Sequence, residues 1–225
     1  EEKTAHLLTM TATPIPRTLA LTLYGDLDIS SLTEKPVGRQ KIATRVVTKT
    51  QREQAYEWIK NELIKNKNQA YIVCPLIEES EHESLANVKA ATIEFEKLSK
   101  NIFKDLKVSL LHGRMKSTEK EETLNNFRDG KTQILVSTPV IEVVIDIKNA
   151  TIMAIEASER FGLAQLHQMR GRVGRGEEKS YCLIFTESVN PQTISKLKLL
   201  ETNDDGLKLS EYDLDAWKKS YIDRI

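Results

Sequence analysis

The sequence predicts an α/β fold in which a parallel sheet carries helices on both faces. Three observations support this. Strand-like and helix-like segments alternate from residue 41 onward. Strand-like runs such as QAYIVCPL and ATIMAIEA are apolar at successive positions, as strands buried on both faces are. The segments between them repeat apolar residues at helical spacing. In such a sheet the crossovers are right-handed, and ligands are expected outside the carboxyl ends of the strands.

Residues 1–40 read as a linker segment. HLLTMTAT is a short apolar run, Pro14 and Pro16 break it, TLALTLYG is a short helix closed by Gly25, and Pro36 with Gly38 mark a linker. IATRVV, rich in β-branched residues, predicts the first strand. Thr50 and Glu53 have capping-box spacing at the start of a helix whose stripe is Ala55, Ile59 and Leu63. QAYIVCPL is a strand ended by Pro75, and EESEHES is an acidic loop. Ala91, Phe95, Leu98 and Ile102 share one face of the next helix. KVSLLHG is a strand, followed by a helix with a second box at Thr118 and Glu121 and a stop at Gly130. TQILVST and ATIMAIEA are strands. GLAQLHQMR is a helix with Leu163, Leu166 and Met169 or Arg170 along one side. SYCLIFT is the last strand, and Pro191 opens a closing helix within a C-terminal helical tail. The expected division is 1–40 as the end of a preceding domain with its linker, 41–188 as the sheet domain, and 189–225 as the tail, cut short.

The bulk composition excludes several classes. Lys plus Arg and Asp plus Glu are 33 each, so global charge does not drive binding to a polyanion; any such binding comes from local placement. Cys74 and Cys182 sit in apolar runs without CxxC or paired-histidine spacing, which reads as two buried thiols in a reducing compartment and no metal site. No apolar stretch approaches the roughly 18 residues that span a bilayer. The chain opens EEKTAHLLTM, without an initiator Met or a signal-peptide pattern, so it is expected to be a fragment.

The densest motif is QMRGRVGRG, residues 168–176, with three arginines and three glycines in nine positions. Glycine is costly to order, so either a tight turn or a close-approaching anion must justify it. Arginine presents a planar fork of donors that matches phosphate. The spacing Gln-x-x-Gly-Arg-x-Gly-Arg suits cations that stabilise charge on a transferring phosphoryl group. A solvated basic turn is the alternative. HGRM, residues 112–115, ends a strand and precedes a helix whose N-terminus offers N–H groups to phosphates. His112 alone also fits a packed or capping histidine. Asp146 lies in the apolar run STPVIEVVIDI, either as a satisfied turn residue or as a buried partner for an arginine, since an unpaired buried carboxylate is costly.

These motifs resemble a known family. Gln168, Gly171, Arg172, Gly174 and Arg175 look like motif VI of superfamily 2 helicases. The longer run ERFGLAQLHQMRGRVGRG (159–176) and MTATPIPRTLALTLYGDLDIS (10–30) resemble the RecG branch, DNA translocases that remodel replication forks. The transcription-repair coupling translocase shares TATPIPRTL and most of motif VI, but YGDLDISSL, KPVGR and CPLIEESE look more like RecG. The resemblance covers roughly residues 4–214.

It implies a RecA-like fold, the helicase C-terminal type of the P-loop NTPases. By resemblance, Arg172 and Arg175 are arginine fingers with Gln168 beside them, and Gly171, Gly174 and Asp146 complete a nucleotide-facing surface. Thr11 and Thr13 belong to motif III, His112, Gly113 and Arg114 to motif IVa, and Thr138 to motif V; all are implied near DNA. The implied cofactors are ATP and Mg2+, bound mainly by a preceding RecA-like domain, because neither a P-loop nor a DExH-type box occurs in these residues. The implied partners are branched DNA, such as forks and Holliday junctions, and that preceding domain; the implied location is the bacterial cytoplasm at the nucleoid. The fragment alone is expected to lack helicase-like ATP turnover and to bind nucleic acid weakly and salt-sensitively.

The sequence also departs from the pattern. Pro139, Val144 and Lys148 stand where the family carries Thr, Gly and Pro, and a valine resists the backbone angles open to glycine. One extra Asp occurs at 204–205, and DAWKKSYIDRI replaces the residues of a translocation hairpin. A non-catalytic binding module of the same fold is therefore the alternative, with a coupling-translocase fragment as a third reading.

Overall fold

The computed structural model of the protein describes residues 8, 30, 40–75, 91–139 and 147–222. Six strands form one sheet: β1 (Ala43–Val47), β2 (Gln69–Val73), β3 (Val108–Leu111), β4 (Ile134–Ser137), β5 (Ala150–Ile155) and β6 (Tyr181–Phe185). Their spatial order is β1-β6-β5-β2-β4-β3, and every neighbouring pair is parallel. The helices are α1 (Arg52–Asn66), α2 (Ser117–Arg128), α3 (Leu163–Arg170), α4 (Pro191–Thr202) and α5 (Gly206–Ile222). A further helical stretch, 91–102, has its last turn, Leu98–Ile102, wound as a π-helix.

Successive strand residues feed opposite cores, which is why the strands read as apolar throughout. On β2, Tyr71 and Val73 face one cluster while Ala70 and Ile72 face the other. The first core is closed by α2 through Phe127, by α3 through Leu163, Leu166 and Met169, and by the tail helices through Leu197, Leu200 and Leu209. The second is closed by Tyr56, Ile59 and Leu63 of α1 and by Ala91, Leu98 and Phe103. Tyr56, just beyond the expected stripe, is fully buried and stacks on Phe185 at 4.9 Å between ring centroids. The two tail helices share the core of α3 and are continuous with the sheet's packing. Cys74 and Cys182 are buried free thiols, and burial pushes the Cys182 thiol up to about 12.

Helix stops lie where expected, but both capping boxes are displaced. Before α1, the Gln51 side chain accepts from the Thr48 backbone N–H at 3.3 Å, so the pair is Thr48 with Gln51 rather than Thr50 with Glu53. At α2, Glu119 accepts from the Lys116 backbone N–H at 3.1 Å, the one half of a box that a lysine at this position allows, in place of Thr118 with Glu121. Gly130 closes α2 with φ of +73°, a conformation that glycine adopts without a Cβ penalty.

Candidate functional site

Because the sheet is all parallel, its two edges are chemically distinct, and the polar motifs divide between them. A helix leaving the carboxyl end of a strand carries the chain back to the amino end. α3 does this after β5, so the arginine loop lies at the amino edge. There Ala43 N donates to Ser180 O at 2.9 Å, and Gln40 Nε2 donates to Glu177 O at 2.6 Å. The expectation that ligands lie outside the carboxyl ends of the strands is thus corrected for this loop.

At the amino edge an open groove of about 320 Å³ is lined by Gln168, Gly171, Arg172 and Arg175 together with Gln40 and Lys41. Gln168 and Arg172 are half-buried, and Arg175 is exposed. Gly174 has φ of +77°, and a Cβ there would stand 2.9 Å from Ile42 Cγ1. The glycine is therefore required by a tight turn packed on the residue before β1, which answers at this position what its ordering cost serves.

The third arginine of the loop has a different role. Arg170 is buried, donating to Leu200 O at 2.7 Å and to Asn203 O at 3.0 Å, which satisfies carbonyls at the end of α4. Its Nη2 also lies 2.7 Å from His167 Nδ1; a guanidinium only donates, so His167 accepts through Nδ1. Burial lowers the Arg170 pKa against the pull of Cys182 and Asp204, yet arginine remains charged. The other end of α3 is tied as well. Asp213 of α5 accepts from Ala164 N at 3.0 Å, a carboxylate placed at the positive end of the helix. A Cβ on Gly162 would lie 2.9 Å from the same Asp213 oxygen, so the glycine makes room for the cap.

At the carboxyl edge, His112, Gly113 and Arg114 follow β3, and Thr138 follows the adjacent β4. Thr138 N donates to Leu111 O at 3.3 Å, holding the two strand ends together. Lys120, on the first turn of α2, donates to Gly113 O at 2.5 Å. Among the described residues, His112 Nδ1, Ser137 Oγ and Thr138 Oγ1 are buried polar atoms without hydrogen-bond partners. Partial burial lowers the His112 pKa, helped by Lys120 and Arg114 and opposed by Glu119. Orphaned polar groups are rare in native proteins, and three of them lie at these adjacent strand ends.

Thr11, Thr13, Asp146 and Val144 lie outside the described residues. Pro139 directly follows Thr138 and is buried. Lys148 sits at the amino edge, where its carbonyl O would be 3.0 Å from a Cβ on Gly176.

One charged cluster has no counterpart in the sequence reading. Arg52 Nη1 donates to Glu156 Oε2 at 2.6 Å and Arg52 Nη2 to Glu94 Oε1 at 3.0 Å, while the Tyr56 hydroxyl donates to Glu156 Oε1. Arg52 also lies over the Tyr56 and Phe185 rings, at 5.4 and 5.5 Å from their centroids. Burial raises the Glu156 pKa against the opposing pull of Arg52 and Tyr56. The cluster binds the start of α1 to the end of β5. Its partners are 104 residues apart, which no local pattern reveals.

Comparison with known proteins fits this geometry. Residues 54–177, more than half of the chain, match the helicase conserved C-terminal domain. The chain belongs to that family. The ATP-dependent DNA helicase RecG of Synechocystis is 52% identical over 209 residues, covering 93% of this chain and 25% of that protein. RecG of Thermotoga maritima is 46% identical over 212 residues, covering 94% of this chain and 27% of that protein. The structure of RecG bound to a three-way DNA junction has a TM-score of 0.75 at 44% identity, over 90% of this chain and 26% of that one. Dbp5 of S. cerevisiae bound to RNA and ADP BeF3, at 17% identity and a TM-score of 0.56 over 90% of this chain and 51% of that one, shares the fold. The sheet is thus of the RecA-like helicase type, and the chain spans about a quarter of the length of the curated relatives it matches. Among the described residues no group of three or more His, Cys, Asp or Glu could hold a metal ion, and no helix is long and apolar enough to cross a membrane.

Proposed function

We propose that this chain is the arginine-bearing lobe of an ATP-dependent DNA motor resembling RecG, acting on branched DNA such as forks and Holliday junctions in recombination and repair. The observation that carries the reading is the groove where Gln168, Arg172 and Arg175 line one wall at the amino edge. Donor-rich side chains of this kind fit the phosphates of ATP. Mg2+ fits less well, since the described residues hold no group of three or more His, Cys, Asp or Glu that could bind it, so its ligands would belong to the preceding RecA-like lobe.

In this reading residues 41–188 form the lobe, residues 1–40 lead in from its neighbour, and the helices after 189 extend it. ATP, when bound on the neighbouring lobe, supplies the phosphoanhydride that is cleaved. Arg172 and Arg175 reach across the cleft and stabilise charge on the transferring phosphoryl group, Gln168 orients polar atoms beside it, Gly171 lets the backbone approach, and Gly174 holds the turn that presents the arginines. Asp146 faces the ribose or the arginines. His112, Gly113, Arg114 and Thr138 grip the DNA backbone at the other edge, with Thr11 and Thr13 from the neighbouring lobe, and lobe closure and reopening moves the pair along DNA. The work would be done in the bacterial cytoplasm, on the nucleoid.

Half of a composite site does not turn over. The purified 225-residue chain is expected to release no phosphate above background in a malachite-green assay with forked DNA. Helicase-like turnover by this chain alone would overturn the reading.

A further inference from the structure

β1 is an edge strand, bonded to β6 on one side only. An open edge presents backbone N–H and C=O groups to any extended strand, including that of a second copy of the chain. Ala43 N donates to Ser180 O at 2.9 Å, and Val47 O accepts from Thr186 N at 3.0 Å, so alternate residues from 43 to 47 turn toward β6. Thr44 and Val46 therefore turn their backbone groups outward. On that outward side Glu201 Oε1 accepts from Val46 N at 2.7 Å, from a position 155 residues away. Just beyond the strand, Gln51 Oε1 accepts from Thr48 N at 3.3 Å.

The placement of Glu201 is otherwise unfavourable. It lies in the last turn of α4, where the negative end of the helix disfavours a carboxylate. Among the described residues it forms no ion pair that would offset this. A charge-assisted bond to the Val46 amide accounts for the acid at this position. We propose that the outward edge of β1 is a pairing surface for a second copy of this chain, and that Glu201 holds it shut by occupying the central amide. Two copies related by a two-fold axis would pair β1 antiparallel with Val46 opposite Val46, each amide donating to the other's carbonyl. Arg45 then lies opposite Val47 of the second copy, so like charges do not face each other. Glu201 takes the place of that carbonyl, and its negative charge repels the carbonyl oxygens of an approaching strand.

The experiment follows the weight-average mass of the 225-residue chain by sedimentation equilibrium over a concentration series. Glu201→Ala frees two amides per dimer and is expected to lower the monomer–dimer midpoint about tenfold or more relative to the parent. Glu201→Gln keeps an acceptor oxygen and is expected to stay within about threefold of the parent. Adding Val46→Pro to Glu201→Ala removes the outward N–H, which the ladder to β6 does not use, and is expected to restore the parent's behaviour. Association unchanged by Glu201→Ala, matched by Glu201→Gln, or surviving Val46→Pro overturns the proposal. If Glu201→Ala does not fold, hydrogen exchange on the parent decides. The Val46 amide is expected to be protected like the ladder amides of Arg45 and Val47, and exchange at the rate of an open edge amide overturns the proposal.

Discussion

Replacing Arg175 by alanine in the full-length protein is expected to lower DNA-stimulated ATP turnover by about 10³-fold or more, as loss of an arginine finger does in other phosphoryl-transfer enzymes. The side chain is exposed at the rim of the amino-edge groove, so its removal opens no core cavity and leaves folding stability within about 0.5 kcal/mol. Because the proposed contact strengthens only as charge develops in the transition state, the loss falls on kcat, with KM for ATP changed far less. Lysine at this position restores a charge but not the planar fork, so it recovers only part of the rate. Steady-state kinetics with forked DNA measure both parameters. An unchanged kcat would remove Arg175 from the chemistry.

The largest stability effect is expected at Arg52. Arg52→Leu leaves Glu156 buried beside Tyr56 with its cation gone, at a cost of about 3–5 kcal/mol in the denaturant midpoint analysis. The double variant Arg52→Leu, Glu156→Leu removes both charges and is expected to recover most of that loss. The pH dependence has a definite sign. Burial raises the Glu156 pKa in the folded state above its ordinary value. A group of this kind contributes stability that is fully present below its unfolded pKa, about 4.3, and is lost as pH rises through the folded value. The Arg52→Leu chain is therefore expected to gain stability relative to the parent as pH falls from neutral toward that range. A loss that is flat or deepens on acidification would contradict the assignment of Glu156 as the stranded charge.

The sheet was legible because its strands are buried on both faces, which leaves an uninterrupted apolar signature in QAYIVCPL and ATIMAIEA. The helix stripes were legible because Ile59, Leu63, Leu98, Leu163 and Leu166 repeat at helical spacing and are buried. The capping boxes slipped by two residues because the polar stretches before α1 and α2 contain several overlapping cap-like spacings, and only the chain's exit from the strand selects among them. The arginine loop was recognised as a motif but assigned to the wrong edge, since its place depends on α3 reversing the chain. The roles of Arg170, Asp213 and the Arg52–Glu156 pair escaped notice for one shared reason. Each acts on a partner distant in sequence, such as Leu200, Ala164 or Glu156, and the pattern around each residue is an ordinary helix surface.

In the proposed arrangement, phosphate chemistry and nucleic-acid backbone are handled at opposite edges of one sheet. Amide chemical-shift mapping on the 15N-labelled chain tests it most directly, with tripolyphosphate in one titration and a short DNA duplex in the other. The expected result is that tripolyphosphate shifts the amides of Gly171 to Gly176 and the duplex shifts those of His112 to Met115 and Thr138, with little overlap. If both titrants shift the same edge, or tripolyphosphate leaves Arg172 and Arg175 untouched, the claim is contradicted.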